Sequence, residues 1–285
     1  MPGAEEPARF QVNLNRPAPK AGDETERTIR FVSQASTTNL AQGGETVTNN
    51  RLFFEMRCRE KILNWDVSND FSKVEIVVDR FVDGNDQWTN QLAGPGTRLI
   101  GTSIAGETFF ESKDRILPGA AARQLERLYN IRPHNFDEFA HTTLPQSVSP
   151  GESWEIPPPA DAAELAAVFG PSFTNHVKAT ARLVGTTNLF GFNCFHLQFH
   201  ITSDDFPENL RRIITSHLPM TMRGRINLVV DLIVPFDKSQ RVLLKSYFLD
   251  FTDSAEMAAD GKNMLSSRGR NTVNIISEFR PIVRR

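Results

Sequence analysis

LFFEMRCREKI, residues 52–62, decides how this chain folds. Leu52, Phe54, Met56, Cys58 and Ile62 fall on one side of a two-residue period, and Glu55, Arg57, Arg59 and Lys61 fall on the other. Successive side chains of a strand point to opposite faces, so the segment reads as an antiparallel strand with one dry and one wet face. Glu60 breaks the pattern from the dry side. It marks a bulge or strand end near Arg59, or else a carboxylate inside a cavity. FHLQFHI, residues 195–201, repeats the rhythm, with Phe195, Leu197, Phe199 and Ile201 on one face and His196, Gln198 and His200 on the other.

Working outward, the same alternation marks strands near 28–38, 74–78, 98–102, 108–111, 177–183, 226–234 and 242–251, and a last one through Val273, Ile275 and Phe279. Phe10, Val12 and Leu14 suggest a short strand within an otherwise loose N-terminal arm, residues 1–26. Turn chemistry separates the strands at Gln42-Gly43-Gly44-Glu45, Asp83-Gly84-Asn85-Asp86 and Pro235-Phe236-Asp237-Lys238. Three segments change period. Ala121, Leu125, Leu128 and Tyr129 form a helical stripe; Asp161 caps a second helix that Gly170 ends; Asp205 and Pro207 open a third that Pro219 closes. Asp253 reads as the cap of one further turn of helix.

Between the two β-rich parts, 27–143 and 160–285, lies a Pro-rich strap, LPQSVSPGESWEIPPP, residues 144–159. Pro150 followed by Gly151 makes Ser149–Glu152 a type II turn, and Trp154 and Ile156 then share one face of a short extended arm. Trp154 is either a ligand platform or a buried plug that fixes packing. Leu144-Pro145 with Val148-Ser149-Pro150-Gly151-Glu152-Ser153-Trp154 resembles the LP…V.pGdsW signature of a group of uncharacterised bacterial proteins, many secreted or envelope-attached, built of two β-rich halves. That group has no established activity or catalytic residues. The resemblance therefore implies architecture and leaves function open.

The chain has 285 residues, enough for two small domains or one large β structure, and a formal charge of -2. So even a balance gives no field that favours nucleic acid or an anionic surface, and nucleic acid is not an expected partner. Phenylalanine occurs 21 times and tyrosine twice, a bias toward cores. Cys58 and Cys194 both sit in alternating apolar strands, where a thiol behaves as a small buried hydrophobe rather than half of a disulfide. No apolar run approaches the ~20 residues of a membrane helix, and residues 1–10 lack the features of a signal peptide. The expected compartment is the cytoplasm if Met1 is the native start, and the envelope or outside if a signal was removed.

Chemistry-bearing motifs are scarce. On a strand, His196 and His200 stand about 13 Å apart, too far to share one zinc. GTSIAG, residues 101–106, nearly matches a nucleophile elbow, but a strand follows it where a helix is needed. Gly94-Pro95-Gly96 opens no phosphate loop. Arg268, Arg270, Arg280, Arg284 and Arg285 read as a frayed basic terminus. No catalytic residue, cofactor or metal is implied.

The expectation is thus a mainly β protein of large antiparallel sheet or sheets in two β-rich halves, either two lobes or one large curved sheet, with about three amphipathic helices packed on them. Its leading function is a non-enzymatic structural or binding module, with an unknown protein or an apolar small molecule as partner. The first alternative is a carrier of an apolar small molecule or lipid in a β-lined cavity, with Phe54, Met56, Glu60, Trp154, Phe195, Leu197 and Phe199 as ligand-binding residues. The second is a hydrolase without a local motif, which would need a convergent carboxylate, histidine and serine.

Overall fold

The computed structural model of the protein describes residues 8–14, 16–17, 19–41, 44–65, 72–104, 107–112, 117, 119–130, 145, 147–156, 176–208, 220–259 and 263–282. In chain order the first elements are β1 (Glu24–Ala41), β2 (Gly44–Asn64), β3 (Lys73–Gly84), β4 (Thr89–Ala93), β5 (Arg98–Ile104), β6 (Glu107–Ser112) and α1 (Gly119–Asn130). After them come β7 (Ser153–Ile156), β8 (Val177–Leu189), β9 (Phe192–Glu208), β10 (Met220–Pro235), β11 (Leu244–Ala259) and β12 (Asn263–Pro281).

All strands belong to one sheet, in the order β6-β5-β3-β2-β1-β12-β11-β10-β9-β8-β7, with β4 bonded to β3 beside that path. The chain starts in mid-sheet, meanders out to β6, re-enters at the opposite edge with β7 and meanders back. The two parts then fuse along β1 and β12, in antiparallel register from Thr25↔Pro281 to Leu40↔Ser266. Two separate halves are therefore replaced by one continuous sheet, and the strap is no linker between lobes: its Ser153–Ile156 segment is the edge strand β7, paired with β8. The turn before it forms as the sequence indicates. Gly151 has φ 86°, Glu152 N donates to Ser149 O at 3.0 Å, and Trp154 packs half-buried on the apolar cluster.

Register fixes which side chains share a face. Phe54 and Met56 lie opposite Phe31 and Ile29; Phe31 lies opposite Ile275; Ile275 opposite Tyr247; Tyr247 opposite Val230; and Val230 opposite Phe199. Both large apolar clusters thus rise from the same face of one sheet. One is centred on β2, β3 and β5, the other on β8, β9 and β10. Between them, Phe31, Leu249, Phe251 and Ile275 are only partly buried. α1 closes the first cluster with Ala121 and Leu125, which have no exposed surface, and Val12, Leu14 and Val148 close the second. The opposite face carries Glu55, Arg57 and Arg59, none of them buried, as the alternation requires.

Several expectations change. Among the described residues there is one helix, not three: Asp161–Gly170 lies outside them, and Asp205–Glu208 continues β9, paired with β10 through Glu208↔Met222. A local start signal yields there to a neighbour strand that runs on far enough to pair. Asp253 caps nothing; it lies within β11, and its carboxylate rests over Gly269 of β12, where a β-carbon would collide with it. Arg268, Arg270 and Arg280 lie in the central strand β12 rather than in a frayed end, and Arg270 grips Asp250 through two bonds of 3.0 and 2.8 Å; Arg284 and Arg285 fall outside the described residues. The short strand expected at Phe10, Val12 and Leu14 within the arm is an isolated bridge at Phe10. Phe10 exchanges backbone bonds with Val148 at 2.8 and 2.9 Å, while Val12 and Leu14 are buried. Cys58 and Cys194 are both buried and are not joined in a disulfide.

The β8–β9 hairpin turns through Phe190 and Gly191, with φ 53° and 86°. Two consecutive positive φ angles suit a tight hairpin, whose usual residues are Asn and Gly; a phenylalanine there costs roughly 1–2 kcal/mol.

Candidate functional site

The seven residues singled out from sequence all project from the apolar face, but they do not converge. Phe54 and Met56 belong to the first cluster, with Phe54 stacked on Phe31 at 4.3 Å and 3° between planes. Phe195, Leu197, Phe199 and Trp154 belong to the second cluster. Phe54, Met56, Phe195, Leu197 and Phe199 are only 0–6% exposed. None of these five lines the cleft described below; they sit within the two apolar clusters, packed as interior side chains generally are. Glu60 does keep its place on the dry face. It accepts a bond from Arg27 Nη1 at 3.0 Å across the β1–β2 pair; Glu60 is buried and Arg27 partly so. The bulge near it sits on the β3 side, between Arg57 and Cys58.

A cleft of about 790 Å³ lies elsewhere, at the end of the same apolar face where β1 begins and β12 ends. Its size falls in the ordinary range for small-molecule sites. One wall is the arm from Leu14 to Asp23, another the β10–β11 connection from Ser239 to Leu243, and the floor includes Leu232 and Phe279. Trp65, where β2 ends, closes a side. Arg16 assembles the site: Nη1 donates to Asp237 O at 2.8 Å and Gln240 O at 3.3 Å, and Nη2 to Pro235 O at 2.8 Å and Asn13 O at 2.9 Å. Burial pushes its guanidinium pKa below the usual value. Farther out, Arg241 lies 3.7 Å from Asp23. Arg27, held by Glu60, places its guanidinium 4.9 Å from the centre of the Phe279 ring. Glu60 thus touches the site at second hand, through Arg27 and the aromatic wall. Among charged lining residues, Arg16, Lys20, Arg241 and Lys245 outnumber Asp23 and Glu24.

Sequence reasoning missed this cleft because its walls come from segments more than two hundred residues apart. The one local signal was the apolar alternation of Phe10, Val12 and Leu14, which says that the arm must bury one side.

On the wet face, His196 Nε2 lies 2.8 Å from Asp231 Oδ1 and His200 Nε2 lies 2.6 Å from Asn227 Oδ1. Ser246 sits across from Asp231 in register. The carboxylate therefore stands between serine and histidine, an order in which the imidazole cannot take the serine proton. Among the described residues no three His, Cys, Asp or Glu side chains gather to hold a metal ion. Gly101–Ile104 end β5; the next described residue, Glu107, opens the strand β6 where an elbow needs a helix, and Ser103 is buried.

Asp83 is a buried carboxylate that sequence did not single out. Its Oδ1 has no hydrogen-bond partner, and burial raises its pKa. A carboxyl whose folded pKa exceeds its unfolded one loses stability as pH rises from the unfolded value toward the folded one. Asp83→Asn should therefore raise the urea midpoint at neutral pH, with the gain fading as pH falls toward the unfolded carboxyl value of about 4 and gone below it. A gain that persists at low pH would contradict this account.

No protein-family model and no curated protein sequence matches the chain. Among solved structures, one titled "Lipid-protein interactions in lipovitellin" aligns with 93% of this chain at 9% identity and a TM-score of 0.32. This chain spans only 26% of that one. A mutant of the TodX monoaromatic hydrocarbon channel aligns with 95% of this chain and 94% of its own at 10% identity, TM-score 0.24. A DUF1329 family protein from Desulfovibrio piger aligns with 89% and 86% at 11% identity, TM-score 0.13. Scores this low carry no functional argument, so the cleft must carry its own.

Proposed function

We propose that the protein is a non-catalytic binding protein whose cleft takes an amphipathic small molecule, an apolar chain or ring with a polar or anionic end. The observation that supports this reading is the cleft of about 790 Å³, with an apolar floor of Leu14, Leu232 and Phe279 and a majority of basic over acidic lining residues. Burial of an alkyl chain along that floor supplies affinity at roughly 0.8 kcal/mol per methylene. The basic lining favours an anionic end.

The test is displacement of an environment-sensitive fluorescent fatty-acid probe, with the emission of Trp65 as a second reporter. Val242 lines the cleft from a loop and is only partly buried, so Val242→Trp fills space without disturbing a strand. It should weaken probe binding at least about tenfold, the loss of ~1.4 kcal/mol, with the melting temperature within about 2 °C of wild type. Undiminished binding by the filled variant would rule the cleft out as the site.

A further inference from the structure

We propose that the end of the sheet bearing the cleft mouth docks on a lipid bilayer, with Phe190 and Phe236 as its inserting tips. The inference rests on reading the cleft as a site for an amphipathic molecule, because docking would let such a molecule pass between membrane and cleft without crossing water.

The two tips are neighbours at one end of the sheet. Phe190 is in the turn that joins β8 to β9, where Leu189 pairs with Phe192, and Phe236 N donates to Asn193 O at 2.8 Å, in the next connection. Both rings are large, apolar and more than a third exposed, at 38% and 39%. Phe236 is anchored behind: its ring lies 4.3 Å from Phe195 and 6.2 Å from Phe10. It is a rigid projection rather than a swinging one. Phe190 occupies a left-handed position that asparagine or glycine would fill without strain. Strained conformations kept at exposed tips point to a role outside folding.

The surroundings fit a phospholipid interface. Arg280 places its guanidinium 5.7 Å from the centre of the Phe190 ring, and Lys238, two residues after Phe236, is exposed. Asp237, between them in the loop, accepts the Ser239 backbone N–H at 2.8 Å. Aromatic tips flanked by cations suit the boundary where acyl chains meet phosphates. The loop that carries Phe236 continues into Gln240, Arg241 and Val242, which line the cleft, so insertion of the tips sets the mouth against the membrane.

The experiment is co-sedimentation of the full chain with vesicles of phosphatidylcholine and phosphatidylglycerol. Wild type should sediment with the vesicles, and Phe190→Asn should lower the partition coefficient about tenfold, the low end of what burying one aromatic side chain supplies. Asparagine accepts the turn's backbone, so the melting temperature of Phe190→Asn should hold or rise, which separates lost docking from lost fold. Phe190→Trp should keep vesicle binding and blue-shift its emission. Wild-type protein that stays in the supernatant, or a Phe190→Asn variant that sediments as well as wild type, overturns the proposal. The two readings fail separately: binding of the soluble probe without vesicle binding removes docking alone, and vesicle binding without probe binding removes the cleft alone.

Discussion

Arg16→Leu is expected to lower the free energy of unfolding by about 2–3 kcal/mol, the scale of losing hydrogen bonds that involve a charged donor. The guanidinium bonds four carbonyl oxygens, three of them in the segment from Pro235 to Gln240, more than two hundred residues away in sequence. Two effects hold the figure below the plain sum of four such bonds. The carbonyls lie near the surface and regain water once the guanidinium is gone, and burial of the charge already costs something, as its lowered pKa indicates. Arg16→Lys should recover less than half of the loss, because a single ammonium on a flexible stem cannot match a planar fork that serves four acceptors. Urea unfolding checks both variants. A loss under about 0.5 kcal/mol, the level of an ordinary surface substitution, would show that the arm is held without Arg16.

Glu60→Leu is expected to cost about 2–3 kcal/mol, since it takes the carboxylate from a partly buried Arg27 charge. The double variant Glu60→Leu with Arg27→Met should return to within about 1–2 kcal/mol of wild type, because removing both charges also removes the cost of burying them. The coupling measured by that cycle is the decisive quantity, and simple additivity of the two single changes would sink the account. Arg27 also rests on Phe279, part of the cleft floor. The double variant should therefore fold and still bind the fatty-acid probe more weakly than wild type.

Much of the strand content was legible. Alternation at 52–62 and 195–201 placed the right side chains on the dry face, and the turn at Ser149–Glu152 formed where proline and glycine put it; the turn expected at Asp83–Asp86 falls two residues later, because Asp83 and Gly84 still pair with β4, and Asn85 Oδ1 accepts the N–H groups of Gln87 and Trp88 at 2.8 and 3.1 Å. The candidate site was barely legible. Phe54, Met56, Phe195, Leu197 and Phe199 look the same in sequence whether they line a cavity or fill a core, because alternation reports burial and not what does the burying. Glu60 was flagged for the right reason, a charge on a dry face, but its partner Arg27 belongs to another strand.

Period and turn chemistry act over a few residues, so the sequence alone determined that this chain is made of two-faced antiparallel strands and where many of them reverse. Only the tertiary structure decided that β1 and β12 pair, that both apolar clusters share one face, and that an arm at the start of the chain is held by a loop near residue 238. Those outcomes join residues as distant as Thr28 and Glu278. They depend on which edges meet once all the strands are formed, and no local pattern of side chains encodes that meeting.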